Sequence, residues 1–275
     1  MNQTEATNLL HTFQKRIEKA LQTSPDGRLR ATNTKGCYSY YHISKENNYG
    51  ASGKYLPKSK PQAIKRLAQK EYYQKLSQAI SKTIRQIEIA GSAGIPAADT
   101  DYSVYIYKLQ NVYSRMHPAK QAMITPFIET DSQFTEKWLH QEYIPKEFYP
   151  DSPLIYANSG IRVRSKSEKI IADKLDELSL PYLYERPFKM HSKRIVHPDF
   201  TLLDITHRRN IYYEHFGKMD DPEYSTKAVR KINEYLKSGL ILGETLLVSF
   251  ETLSVPIDIS LLPQTLTDIG LLPDK

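Results

Sequence analysis

The chain has 275 residues, of which 40% are hydrophobic and 25% are charged, and its formal net charge is +7. This length and hydrophobic content allow two domains with buried cores, and they argue against a disordered chain. The single cysteine, Cys37, excludes an intramolecular disulfide, and no apolar run approaches the length of a membrane span. We therefore expect a cytoplasmic protein that does not associate with membranes.

The charge is concentrated in the N-terminal third. Residues 1–90 contain 16 Lys and Arg against 6 Asp and Glu, a net charge of +10. Residues 91–275 contain 22 against 25, a net charge of −3. A concentrated positive field favours polyanions, nucleic acid first. Many domains carry excess lysine only for solubility, so charge alone leaves that alternative open.

In chain order, the first predicted element is an amphipathic helix over residues 5–22, from apolar residues at helical spacing. Three short strands follow, over 28–32, 37–43 and 54–56, and Pro61 begins a long helix to about residue 90. We interpret residues 1–90 as a basic module, a small antiparallel meander with a long helix, that binds nucleic acid. Its candidate binding residues are Arg28, Arg30, Lys35, Lys54, Lys65 and Arg66.

The middle of the chain is predicted to be helical. Residues 91–96 form a plausible linker, and apolar spacing indicates helices over 103–116 and 131–142. We therefore interpret residues 91–158 as a helical connector.

The pattern changes in the last domain, residues 159–275. A helix is predicted over 165–178, followed by strands over 182–188, 194–204 and 211–216. The Asp221–Pro222 pair begins another helix, and a last apolar strand covers 245–250. The predicted order is helix, three strands, helix, strand, which places the protein in the α/β class.

Two acidic residues stand inside strand-like runs of this domain. Asp199 and Glu214 flank a polar segment, 206–210, that is able to turn the chain into a hairpin. Such a hairpin permits the two acids to be adjacent, although the register is not readable from the sequence. Acids within apolar strands are costly to bury unless they are paired or bound to metal. Converging carboxylates suit Mg²⁺ or Mn²⁺, which activates water and stabilises charge on a phosphate.

A third acid, Glu168, allows two interpretations. Ser165 and Glu168 have the spacing of a capping box, in which the glutamate only satisfies the helix start. Glu168 also shares a helical face with Ile171 and Leu175, which would direct it inward.

Together these pieces resemble the PD-(D/E)XK nuclease superfamily, which has a restriction-endonuclease-like fold. The similarity lies in Ser165–Glu168 on the first helix, Pro198–Asp199 on one strand and Glu214 on the next, within roughly residues 162–251. The resemblance implies an αβββαβ core that binds Mg²⁺ or Mn²⁺. The implied metal ligands are Asp199, Glu214, Glu168 and the backbone carbonyl of His215.

The sequence departs from this family at one position. The family has a lysine two residues after the second acid, and here that residue is Phe216. Lys218, Lys227 and Lys231 lie nearby in the sequence. Lys227 lies on a predicted helix and closer to its start than Lys231, so we predict that Lys227 replaces the missing cation.

The resulting hypothesis is a metal-dependent endonuclease that hydrolyses phosphodiester bonds, with DNA favoured as the substrate. Its predicted catalytic residues are Asp199, Glu214, Lys227 and Glu168. One alternative, prompted by Phe216, is an inactive relative that only binds nucleic acid. Another is an interaction module whose basic helices bind an acidic protein.

Overall fold

The computed structural model describes residues 1–45, 52–92 and 101–273. The chain divides into two compact units, residues 1–131 and 132–275, and both contain helices and small sheets, which confirms the α/β class. The connector predicted over 91–158 is divided between the two units. Residues 93–96 of the predicted linker lie outside the described residues.

The first unit combines two long helices, a three-stranded antiparallel sheet and short helices. The sequence predicted the long elements to within a few residues. Their bounds are α1 Gln3–Gln22, β1 Arg28–Thr34, β2 Cys37–Ile43, β3 Lys54–Leu56, α2 Pro61–Ser92, α3 Ser103–Tyr107, α4 Asn111–Ser114 and α5 Pro118–Gln121.

The core of the first unit lies between α1, α2 and one face of the sheet. Apolar side chains at helical spacing on α2, such as Leu76 and Ile80, are fully buried. The short helices α3 to α5 pack into the same cluster through residues such as Ile106. Burial of each large apolar side chain stabilises the fold by about 1.5–3 kcal/mol. This shared burial explains why the first half of the predicted connector belongs to the first unit.

The second unit contains a four-stranded sheet and two short hairpins. Its elements are α6 Asp131–Leu139, β4 Ile155–Tyr156, β5 Arg162–Val163, α7 Lys166–Glu177, β6 Tyr182–Tyr184, β7 Phe188–Lys189, β8 Ile195–Val196, β9 Phe200–Asp204, β10 Arg209–Phe216, α8 Pro222–Lys237, β11 Leu246–Phe250 and α9 Leu262–Asp268. The strand order is β11-β10-β9-β6, with β10 and β11 parallel and the other pairs antiparallel.

Two of the predicted strands are shorter than the sequence indicated. Glu185 adopts a positive φ of 48°, which ends β6, and the rest of the predicted strand is the short β7. The strand predicted over 194–204 is likewise divided into β8 and β9. Lys193, with a φ of 66°, turns the chain between β7 and β8, which form a separate hairpin. Apolar composition alone does not reveal these left-handed residues.

The two main helices of this unit cover opposite faces of the sheet. Leu175 on α7 packs in a cluster with Ile211 and Tyr213 of β10. Tyr235 on α8 packs with Tyr212, the intervening residue of the same strand. Successive residues of a strand point to opposite faces, so β10 is covered on both sides. The sheet therefore lies between α7 and α8, and the ends of β9 and β10 lie within this layered arrangement. Its elements follow the order helix, three sheet strands, helix, strand.

No helix within the described ranges combines the length and the apolar composition that a membrane crossing requires.

Candidate active site

The two strand acids meet across the β9–β10 pair. Phe200 is the register partner of Tyr213, so the next residues along the two strands are Asp199 and Glu214. Partners in an antiparallel pair share a face, and Glu214 lies on the same face as Tyr212, which α8 covers. The hairpin that the sequence permitted is thus present, with its acids side by side.

Glu214 is held in place by α8. Its side chain is 2% exposed, and Lys231 Nζ lies 2.6 Å from its Oε1. The hydroxyl of the fully buried Tyr235 donates a hydrogen bond to the same oxygen. Burial and the charge of Glu214 raise the pKa of Tyr235, so the phenol remains a donor. Lys231 and Tyr235 are four residues apart, which places them on one helical face.

The lysine that contacts the acids is Lys231, and the prediction that Lys227 takes this position is corrected. Lys227 Nζ lies 2.5 Å from Glu223, and its side chain is 68% exposed. The reason is the rotation and placement of α8. Its first turn packs over the end of β10, where the Gly217 N–H donates to the Tyr224 hydroxyl at 3.3 Å. The turn that faces Glu214 therefore begins further along the helix.

Asp199 has an electrostatically unfavourable environment. Asp199 is half-buried, and desolvation raises the pKa of its carboxyl well above the ordinary value, with a further rise from the charges of Glu214 and Glu168. The Lys231 ammonium and the His215 N–H, which donates to Asp199 Oδ2 at 2.7 Å, oppose this shift without cancelling it. A cation bound beside the ionised carboxylate would relieve this cost.

Glu168 makes hydrogen bonds at the start of α7, and its role as a metal ligand stays a prediction. Its Oε1 accepts from Ser165 Oγ at 3.0 Å, and Ser165 Oγ accepts from the Glu168 N–H. Its Oε2 accepts from the Arg164 N–H at 2.9 Å and from the Tyr184 hydroxyl at 2.6 Å. Each carboxylate oxygen therefore already accepts at least one hydrogen bond, and the charge of Glu168 acts on Asp199.

Two carboxylates of this site are available to a divalent ion. Over the described ranges, no three His, Cys, Asp or Glu side chains are grouped so that they could hold a metal together. Mg²⁺, however, commonly takes only one or two protein carboxylates and retains several waters. The Asp199–Glu214 pair fits that requirement without Glu168.

A polar network on the opposite face of β10 was not foreseen from the sequence. His215 Nδ1 lies 2.8 Å from Ser249 Oγ, and its Nε2 lies 3.2 Å from Glu251. Glu251 also accepts from Ser167 Oγ at 2.6 Å. The network joins β10, the end of β11 and the start of α7. Because the network depends on the parallel pairing of β10 with β11, which are distant in sequence, no local sequence pattern predicts it.

Phe216, at the position of the family's lysine, packs as a core residue. It is 3% exposed, and its ring stacks on Phe250 with centroids 5.7 Å apart and planes inclined by 18°.

The basic residues of the first unit divide by environment. Strand pairing aligns Arg30, Tyr41 and Tyr55 on the face opposite the buried Leu29 and Tyr40. The Arg30 guanidinium lies 4.8 Å from the Tyr41 ring centroid, and the Tyr41 and Tyr55 rings meet edge to face at 5.7 Å. Tyr55 is 54% exposed. We call these three residues the exposed sheet face.

Other predicted binding residues surround the sheet or lie on α2. The side chains of Arg28, Lys35, Lys54 and Lys65 are exposed. Arg66 has a structural contact, because its Nη2 donates to the Thr23 carbonyl at 3.0 Å and holds the chain that leaves α1.

No protein-family model matches the chain, and searches of the curated proteins and of the solved structures found no match. The function is therefore inferred from the geometry of these residues.

Proposed function

We propose that the protein is a metal-dependent nuclease that hydrolyses phosphodiester bonds, with DNA as the favoured substrate and a PD-(D/E)XK type of core in the second unit. One observation carries the proposal, the cross-strand pair Asp199 and Glu214 with the Lys231 ammonium 2.6 Å from Glu214. The order of helices and strands around the pair supports the same assignment.

Mg²⁺ or Mn²⁺ would be held by Asp199, Glu214 and the carbonyl of His215. The N–H of His215 faces Asp199, and in a strand the N–H and C=O of one residue point to the same neighbour. The bound ion would supply charge stabilisation at the phosphate and an activated water. Tyr235 keeps the buried Glu214 oriented, and the His215 N–H does the same for Asp199.

Lys231 supports an active enzyme over an inactive one. Water attacks phosphorus as the bond to the leaving oxygen breaks, and negative charge accumulates on the phosphate oxygens. A preorganised ammonium near that charge favours the transition state. Phe216 remains the observation that favours a binding-only relative, and Lys231 provides from α8 the charge that Phe216 lacks.

The first unit would contribute affinity. Aromatic rings beside a guanidinium on an exposed sheet offer stacking to bases and a charge to phosphates. The exposed sheet face provides both, and its arrangement supports the basic module as a nucleic-acid-binding region.

The test is a cleavage assay with purified protein. We expect cleavage of DNA with Mg²⁺ or Mn²⁺ and none with a chelator. Asp199→Ala and Glu214→Ala should each abolish cleavage and leave the circular dichroism spectrum unchanged. Full activity in both variants would exclude this site. Metal-independent binding without any cleavage would support the inactive alternative.

A further inference from the structure

A second feature of the second unit is a concave surface between β8 and α8, with a volume of about 550 Å³. We call it the cationic cleft. Its charged lining residues are Lys146, Arg194, Lys227, Arg230, Lys231 and Glu234. Five cations thus face one carboxylate, in a unit whose sequence is not basic overall.

The positive charge of the cleft is only partly neutralised within the protein. Arg194 is paired with Glu234 at 2.5 Å, and Lys227 and Lys231 are paired with acids outside the lining. Lys146 and Arg230 have no ion pair or side-chain hydrogen bond within the described residues. Cations held together without acids repel one another, and an anionic ligand removes that cost.

The cleft and the candidate active site share one residue. Lys231 belongs to both, because it lines the cleft and contacts Glu214. His197 also lines the cleft, two residues before Asp199. A ligand in the cleft therefore lies beside the lysine that contacts Glu214.

The dimensions indicate an extended polyanion. Arg194 contacts α8 at Glu234. The distance along the helix axis from Lys227 to Glu234 is about 10 Å, because an α-helix rises about 1.5 Å per residue. One strand of duplex DNA carries a phosphate about every 3.4 Å along the axis. The row of cations therefore corresponds to about three successive phosphates.

We infer that the cationic cleft binds the sugar–phosphate backbone of the strand to be cleaved, on one side of the scissile bond. This inference rests on the proposed nuclease function and extends it to substrate-binding residues. Arg230 and Lys146 are its principal phosphate ligands, and Lys227 contributes to binding. The affinity is then divided between the first unit and a cleft next to the acids.

The test measures binding apart from cleavage. The full chain carrying Asp199→Asn is titrated with a short duplex DNA in chelator, and the affinity is followed against salt concentration. Adding Lys146→Ala and Arg230→Ala should reduce the slope of log affinity against log salt by about 1.8, because these side chains no longer neutralise two phosphates. Lys169→Ala with Lys174→Ala removes the same charge from α7 and should leave the slope unchanged.

An equal slope in the cleft variant and its parent would overturn the inference, as would an equal decrease in the α7 control. Arg230→Lys, which keeps the charge, should retain most of the slope. The outcome is separable from the nuclease proposal. If the unaltered chain cleaves but Lys146→Ala with Arg230→Ala changes neither slope nor KM, the cleft assignment fails and the nuclease stands. If the slope decreases but no chain cleaves, the cleft binds the DNA backbone but not a strand to be cleaved, and the nuclease proposal fails.

Discussion

The most consequential residues of the second unit are two acids placed where burial is costly. Asp199 and Glu214 are neighbours across an antiparallel pair; Glu214 is buried and Asp199 is half-buried. Desolvation shifts the pKa of Asp199 upwards, and the like charge of Glu214 adds to that shift. Carboxylates with strongly perturbed pKa values cluster at functional sites, although structural ion-pair networks also contain them.

This cost predicts a stability gain from neutralising one acid. Asp199→Asn keeps an oxygen that accepts from the His215 N–H and removes a charge that is buried beside Glu214. We expect a higher melting temperature than wild type at neutral pH in chelator, together with loss of cleavage. Glu177→Gln, on the exposed end of α7, serves as the control and should change the melting temperature little. A lower melting temperature for Asp199→Asn would contradict the electrostatic explanation.

The position of Lys231 gives a second prediction. Lys231→Ala should lower kcat about 10²–10³-fold, the usual cost of removing one group that stabilises transition-state charge. Lys227→Ala should cause a smaller loss, expressed mainly in KM, because its ammonium contacts Glu223 at the helix surface. Steady-state kinetics of the two variants show which of the two lysines contributes more to kcat. A larger decrease in kcat for Lys227→Ala would restore the assignment made from sequence.

The sequence identified some of these residues and not others for physical reasons. Asp199 and Glu214 stand out because an acid is unusual in an apolar strand, and the short polar turn between them implies a hairpin. The sequence does not identify Lys231, because the rotation of α8 about its axis is set by the packing of Tyr224 and Tyr235. That packing is a tertiary property. Glu168 matches both patterns, and in the structure it hydrogen-bonds with Ser165 and Tyr184 at the start of α7.

At the scale of elements, long periodic helices were predictable and interrupted segments were not. The apolar spacing of α1, α2, α7 and α8 sets their ends to within a few residues. The helix predicted over 103–116 is instead divided into α3, a short turn of 3₁₀ helix and α4. Its burial against α2 depends on contacts distant in sequence, which local periodicity does not record.

A contact between two of these elements gives a pH-dependent prediction. Glu71 on α2 accepts from Lys120 on α5 at 2.5 Å and lies 3.1 Å from Lys75. Burial raises the pKa of its carboxyl, but the hydrogen bonds and charges of the two lysines outweigh burial and lower it. The carboxylate therefore stabilises the fold above its unfolded-state pKa, and this contribution is lost as the pH falls through the lower folded-state pKa.

We expect Glu71→Gln to reduce the free energy of unfolding by about 1.5–3 kcal/mol at neutral pH, the range for hydrogen bonds to charged groups. The difference from wild type should shrink as the pH is lowered below about 4.3, where an ordinary glutamate becomes protonated. Urea denaturation at several pH values measures it. If the difference in the free energy of unfolding instead grew as the pH fell, it would contradict the lowered pKa of Glu71.

At the scale of the whole molecule, charge and chemistry are assigned to different units. The first unit carries all of the net positive charge and the exposed sheet face, and the second carries the acids and the cationic cleft. Residues 132–275 have their own buried core, so the second unit is a reasonable candidate for independent folding.

A truncated protein that starts at residue 132 should bind DNA more weakly and with a shallower salt dependence. Each phosphate that the first unit neutralises in the full chain adds about 0.9 to the log–log slope on duplex DNA, and the truncated protein lacks this contribution. Affinity measured across a salt series tests this, with circular dichroism confirming that the truncated protein is folded. An unchanged slope would mean that the basic module of the first unit binds something other than the DNA backbone.

The proposed chemistry depends above all on Asp199 and Glu214 holding a divalent ion together. Calorimetric titration of the full chain with Mn²⁺ measures this binding, beside Asp199→Asn and Glu214→Gln. We predict one site per chain in the wild type, weakened at least tenfold, or by about 1.4 kcal/mol, in each variant. Absence of binding in the wild type, or equal affinity in all three proteins, would show that the two acids do not form a metal site.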